Sequence, residues 1–204
     1  MVRIIVLHLA GALGLQQAWA QEMCATPAQA QRIQAFYEAN PGTMPVIAAR
    51  RLDLPEAVVV SGLPAPQAVS APGTAFAHVW SAMTRWNEAV FLITKGANVF
   101  EILSPIAPGA PSTRSDYYNI EYKHPFRGHL RPDQYVSLYA ISMPGKETTR
   151  VRGVLFYGAD GASVFGAFIS GEGPEPPQAE LAKFDAVMAV VRSKPAVCGT
   201  RPVT

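Results

Sequence analysis

Between Asp116 and Asp133 the chain reads Asp-Tyr-Tyr-Asn-Ile-Glu-Tyr-Lys-His-Pro-Phe-Arg-Gly-His-Leu-Arg-Pro-Asp. Three of the seven tyrosines and two of the four histidines fall here, with the cations Lys123, Arg127 and Arg131. Imidazole nitrogen and phenolate oxygen are both donors to haem iron, and guanidinium groups pair with carboxylates such as haem propionates. The same composition also fits an ordinary hairpin. Tyrosine favours strands, His124-Pro125 and Arg127-Gly128 mark turns, and the charges would be solvated. Residue type alone leaves both readings open.

The elements that must position this stretch belong to a chain of 204 residues, 49% hydrophobic and 16% charged. That describes a globular protein with enough apolar mass for a core. Eighteen prolines and sixteen glycines call for many turns. The first twenty residues read as a secretory leader: Arg3, the short apolar run Ile4 to Leu15, and Ala18-Trp19-Ala20 before a cleavage point. The expected organisation is therefore a signal peptide over 1–20 and a single domain over 21–204, in a periplasmic or secreted protein. Removing Arg3 leaves the mature chain near neutral. That speaks against nucleic acid as a partner and against stable membrane insertion after cleavage. Cys24 and Cys198 are the only cysteines and lie at opposite ends of the mature chain. In an exported protein they are expected to pair as a disulfide.

Along the mature chain, Thr26-Pro27 opens a helix carrying Ala30, Ile33, Phe36 and Tyr37, and Asn40-Pro41-Gly42 stops it. Met44 to Arg50 and the run after Pro55 give two further short helices, completing a helical segment over 26–64. A strand through Ala57–Val60 is an alternative. The layout has a helix-turn-helix look, but the weak charge favours plain packing helices. Ala65 to Pro72 reads as a linker. Gly73-Thr74 opens an amphipathic helix with Phe76, Val79, Trp80 and Met83 on one stripe, leaving His78 at the surface. Strands follow over Ala89–Thr94, Asn98–Leu103, Tyr117–Tyr122, Gln134–Met143, Val151–Tyr157 and Ala162–Ile169. Ser104 to Ser115 and Gly171 to Pro177 read as loops. Pro177 to Arg192 closes the unit over 73–192 as a helix. The fold class is α+β, an antiparallel β-sheet with flanking helices.

Other chemistries fail on spacing. Gly161-Ala162-Ser163-Val164-Phe165 lacks the final glycine of a nucleophile elbow and joins two strands. Gly171-Glu172-Gly173 lacks the rest of a dinucleotide fingerprint. His124 and His129 are five apart, which no single-helix metal site uses. Nothing in the sequence brings Glu101 and Glu121 together.

Several segments together resemble the ChuX/HutX-type haem-utilisation carriers. They are Val79-Trp80, Trp86, Val99-Phe100-Glu101-Ile102, Tyr117-Tyr118-Asn119-Ile120, Gly128-His129-Leu130-Arg131-Pro132-Asp133, Met143-Pro144-Gly145-Lys146-Glu147-Thr148 and Val154-Leu155-Phe156-Tyr157. Pro41-Gly42-Thr43 and Ile47-Ala48 fit that family's helical start, so the likeness runs over roughly 32–192. The resemblance implies an antiparallel sheet, a homodimer through the sheet region, and haem as cofactor and partner for delivery or storage. Larger relatives have been linked to haem breakdown, so a haem-degrading enzyme is one alternative. A non-haem binding or interaction module of the same fold is another. Family members are intracellular, whereas this chain carries an export signal. Some relatives have a histidine where this chain reads Phe91-Leu92-Ile93-Thr94, and a lysine near Gly166.

Within that resemblance His129, in the best-matched segment, is the first candidate for iron. Tyr118 and Tyr122 come next as phenolates, then His124, with Arg127 and Arg131 for the propionates. Even spacing on one strand is expected to put Tyr118, Ile120 and Tyr122 on one face, with Tyr117 and Asn119 on the other.

Overall fold

The computed structural model describes residues 23–96, 98–147, 149–170 and 175–198. The expected leader over 1–20, Ala97 of the first hairpin turn, Thr148 and the Gly171-Glu172-Gly173 loop lie outside them.

Helix α1 (Pro27–Ala39) begins where the sequence says it must. Thr26 Oγ1 accepts from the Gln29 backbone N–H at 3.2 Å, and Gln29 Oε1 accepts from the Thr26 N–H at 2.7 Å. That reciprocal capping box satisfies two N–H groups the helix cannot. Helices α2 (Pro45–Leu52) and α3 (Glu56–Ser61) follow. The run Ala57–Val60 is helical rather than extended, and Glu56 through Val60 are all buried. A helix buried on every side has no face left for a DNA groove, so α3 is a packing helix.

The main sheet is fully antiparallel and six-stranded. Its order is β1 (Ala68–Pro72), β7 (Ser137–Pro144), β8 (Arg150–Tyr157), β9 (Ser163–Ser170), β2 (Ala89–Lys95), β3 (Asn98–Ser104). A second sheet holds β4 (Gly109–Pro111), β5 (Tyr118–Ile120) and β6 (Gly128–Leu130). Helices α4 (Phe76–Met83) and α5 (Gln178–Arg192) complete the fold.

Four expectations need correction. The Ala65–Pro72 linker contains the edge strand β1, because Ala68 to Pro72 find partners along Ile141 to Ser137. Small residues and a terminal proline suit an edge, where one side of the ladder is unused. The Ser104–Ser115 loop contains β4. The strand expected over Gln134–Met143 starts at Ser137, since Pro132–Gln134 form a 3₁₀ turn. The strand expected over Tyr117–Tyr122 keeps only Tyr118–Ile120, and β6 was not foreseen at all.

Both faces of the central strands are covered. Leu138 and Ala140 of β7 face a core built with α4, α5 and the small sheet, while Tyr139, Ile141 and Met143 face the N-terminal helices. Strand β3 is the exception: it is an edge, and Val99, Phe100 and Leu103 are each at least half exposed.

The two ends are joined by a Cys24–Cys198 disulfide across a sequence separation of 174. Closing so long a loop is worth up to about 5 kcal/mol in the chain-entropy account. The tail also donates the Val197 N–H to Ser70 Oγ of β1 at 3.1 Å.

A buried carboxyl locks the helical segment to the sheet. Glu56 is 6% exposed. It accepts from Ser163 Oγ at 2.8 Å and from the Tyr157 hydroxyl at 3.3 Å. Burial pushes its pKa up, and the Ser163 and Tyr157 hydrogen bonds and the Arg50 charge only partly oppose that. The folded chain therefore holds this proton more tightly than the unfolded chain. Its stabilising contribution is full below the ordinary carboxyl range and is lost as pH rises through the folded pKa. Glu56→Gln keeps an acceptor and removes the titration. The variant should gain stability relative to wild type as pH goes from about 4 to about 8. Urea midpoints at the two pH values test this; parallel behaviour of the two proteins would count against it.

Candidate functional site

The stretch that opened the sequence reading supplies β5 and β6 of the second sheet and the turn between them. Tyr118 and Ile120 point inward. The Tyr118 hydroxyl donates to the Gly109 carbonyl at 2.7 Å, and its ring meets Phe76 edge-on at 5.1 Å. Burial raises its pKa. A Cβ at Gly109 would come within 2.4 Å of the Tyr118 ring, so only glycine allows this approach. Tyr118 is thus a packing residue whose oxygen is already engaged.

The turn is fixed by Phe126, a residue the sequence reading passed over. Its ring stacks on Phe91 with centroids 3.6 Å apart and planes within 2°, and its backbone N–H donates to Ser104 Oγ at 3.2 Å. Burying such a ring is worth roughly 2 kcal/mol or more. Gly128, at φ 145°, then lets the chain turn into β6.

Register places Ala110, Asn119 and His129 side by side on the outer face. Asn119 Oδ1 lies 2.7 Å from His129 Nδ1, and the Tyr122 hydroxyl lies 3.1 Å from His129 Nε2. The consistent assignment has Nδ1–H donating to the amide oxygen and Nε2 accepting from the phenol. Tyr122 lies beyond the end of β5 and is 64% exposed. It does not share the face of Tyr118 as strand periodicity implied, because the strand stops at Ile120 and the turn swings it outward. The corrected grouping is Tyr122, His129, Asn119 and Tyr117 outside, Tyr118 and Ile120 inside.

The outer face carries a row. Arg131 sits over the Tyr117 ring at 5.5 Å, Tyr117 lies 5.7 Å from the His129 ring, His129 lies 6.2 Å from the Tyr122 ring, and Arg127 sits over Tyr122 at 5.7 Å. The two arginines differ. Arg131 is bidentate to Asp133, Nε to Oδ1 at 2.8 Å and a terminal nitrogen to Oδ2 at 2.6 Å, with Asp116 at 3.5 Å. The pairing raises the guanidinium pKa and lowers the Asp133 carboxyl to about 2. Arg127 has no carboxylate partner among the described residues. Of the two, Arg127 is the cation available to an incoming anion. Lys123 is held by Glu121 at 2.6 Å. His124 is half-buried in the turn and takes no part in the row.

The face therefore offers exposed ring surfaces, a phenol oxygen backed by an oriented imidazole, and one uncommitted guanidinium. Those donor types fit a flat anionic macrocycle carrying a metal, held against a platform. They do not fit a bare metal ion: no group of three or more His, Cys, Asp or Glu is gathered among the described residues. Asn119 is the residue the sequence reading missed here. Only the β5–β6 register, set by the turn, brings it opposite His129.

The model of the haem-utilisation ChuX/HutX family matches residues 69–187. A solved protein from Agrobacterium tumefaciens is similar at 23% identity and TM-score 0.66, covering 93% of this chain and 100% of its own. ChuX, solved as a haem-binding protein, is similar at 18% identity and TM-score 0.65, covering 78% and 99%. ChuS, an Escherichia coli haem oxygenase, is similar at 16% identity and TM-score 0.54, with 92% of this chain matching 50% of that one. At these identities the structures speak for the fold. No curated protein matches.

Proposed function

The chain belongs to the haem-utilisation ChuX/HutX family, and from that premise we propose that it is an exported haem-binding carrier or storage protein. The observation that carries the site is the row Arg131–Tyr117–His129–Tyr122–Arg127 on the outer face of the small sheet. Haem, when bound, supplies an iron open to an axial donor and two propionates. The aromatic faces of Tyr117 and Tyr122 give apolar area for the ring, and Arg127 pairs a propionate. Both His129 nitrogens are hydrogen-bonded, to Asn119 Oδ1 and to the Tyr122 hydroxyl, whereas Tyr122 is 64% exposed and its oxygen has this single partner among the described residues. The reading therefore gives the iron to the Tyr122 oxygen, with His129 holding it in place and Asn119 holding His129.

A haemin titration followed by absorbance tests this. Tyr122→Phe and His129→Ala should each weaken binding tenfold or more, about 1.4 kcal/mol, and Tyr122→Phe should move the Soret band. A band that moves only in His129→Ala would give the iron to the imidazole instead. Binding unchanged in both variants would remove the site from this face. No binding by wild type beyond that of an unrelated protein would remove haem altogether and leave the interaction-module reading. Bleaching of the band on adding a reductant would reassign the protein to haem breakdown.

We propose that two copies pair through β3. Its outer ladder has no partner strand among the described residues, and Val99, Phe100 and Leu103 are exposed at 50%, 53% and 57%. An apolar edge of this kind is a template for another strand. Light scattering should report a dimer at micromolar concentration and a monomer for Val99→Lys with Leu103→Lys. A wild-type monomer would sink the proposal.

Export is supported by the disulfide, since such bonds persist in oxidising compartments. The protein recovered from the cell envelope or medium should begin at Gln21 by intact mass. A mass that retains Met1–Ala20 would overturn cleavage.

A further inference from the structure

A cavity lies away from the row, lined by none of its residues. It opens between α3, β1 and the C-terminal tail, beside the disulfide, and has a volume of about 140 Å³. Val60, Leu63, Ala68 and Val69 give it an apolar lining. The polar groups of that lining are turned inward on the protein. Ser61 Oγ donates to the Val58 carbonyl at 2.8 Å and accepts from the Ala25 N–H at 2.7 Å, and Ser70 Oγ accepts from Val197. The Tyr139 hydroxyl lies 3.1 Å from Cys198 Sγ.

The charge on the lining has one sign. Arg192, in the last turn of α5, and Lys194, just beyond it, both line the cavity. Neither is in an ion pair among the described residues. Among the described residues no acidic side chain is part of the lining. An apolar space flanked by two cations, with no carboxylate in its lining among the described residues, is complementary to a molecule with an apolar body and an anionic head. A space of about 140 Å³ is on the scale of one small ring or a short alkyl chain. We propose that this cavity binds a small amphiphilic monocarboxylate, its apolar body against Val60, Leu63 and Val69 and its carboxylate between Arg192 and Lys194. The site is independent of haem binding: its occupant is different in kind and its residues are different.

The protein with its disulfide intact is titrated with hexanoate and benzoate, and with hexanol and benzyl alcohol as uncharged counterparts, by calorimetry and by amide chemical shifts. Saturable binding of the carboxylates is expected, at least tenfold tighter than the alcohols, with shifts at Val60, Val69 and Ala196. Arg192→Gln with Lys194→Gln should weaken carboxylate binding tenfold or more and bring it level with the alcohols. Ala196→Trp, at an exposed position on the rim, should abolish binding of both by filling the space. Neither variant should change haemin affinity. Absence of saturable carboxylate binding, carboxylates no tighter than alcohols, or unchanged affinity in the double variant would each overturn the proposal. Should Ala196→Trp fold poorly, the double variant decides by itself, since both of its positions are on the surface side of the lining.

Discussion

The candidate site depends on the stack of Phe126 on Phe91. The small sheet has only three residues in each strand. Ladders that short are marginal without a hydrophobic face to bury. Phe126 supplies one anchor and Tyr118 with Ile120 the other, and both reach the cluster of Phe76, Trp80, Phe156 and Phe165. Offset and edge-on ring pairs add about 0.5–1.5 kcal/mol each beyond area burial. The polar outer face can then be exposed, because the inner face and the turn hold the register. Asn119 meets His129 and Tyr122 meets His129 only while that register lasts.

The sequence disclosed the parts with strong periodicity. The helix start at Thr26-Pro27, the stripe Phe76–Val79–Trp80–Met83 and the strands of the β2–β3 and β8–β9 hairpins appear within a residue of where pattern put them. Elements defined by a partner rather than by themselves were not legible. Ala68–Pro72 is a strand because Ser137–Ile141 lies beside it, and nothing in Ala-Val-Ser-Ala-Pro demands one. Strand β6 is three residues, too few to show alternation. The site residues were found by chemical type, and their grouping came out differently for a local reason. Period-two reasoning holds only as long as the strand does, and β5 ends two residues before Tyr122. His129 was singled out for iron by type and motif, and its two nitrogens turn toward Asn119 and Tyr122, neighbours that only tertiary structure supplies.

The main sheet is unequally covered, and that inequality organises the molecule. Strands β7, β8 and β9 are packed on both sides, which accounts for their near-continuous apolar runs. Burial falls away toward β3, where apolar side chains meet water. The disulfide lies toward the β1 end, where the tail is held to the sheet, and Glu56 ties α3 to the central strands β8 and β9. The cross-linked tail and the exposed apolar side chains therefore lie toward opposite edges of one sheet.

With Cys24 bonded to Cys198, the backbone from one to the other is a closed ring. One cut in an exposed loop, such as the turn around Lys123 or the stretch near Arg114, opens the ring and yields no separate fragment. Two cuts are needed before any piece can leave. A protease in an oxidising compartment would thus meet a molecule that survives a first nick as a single covalent body. Joining the ends and opening the ring elsewhere would give a permuted chain with the same contacts. The order in which this sequence is written along the ring is, for the folded state, one choice among several.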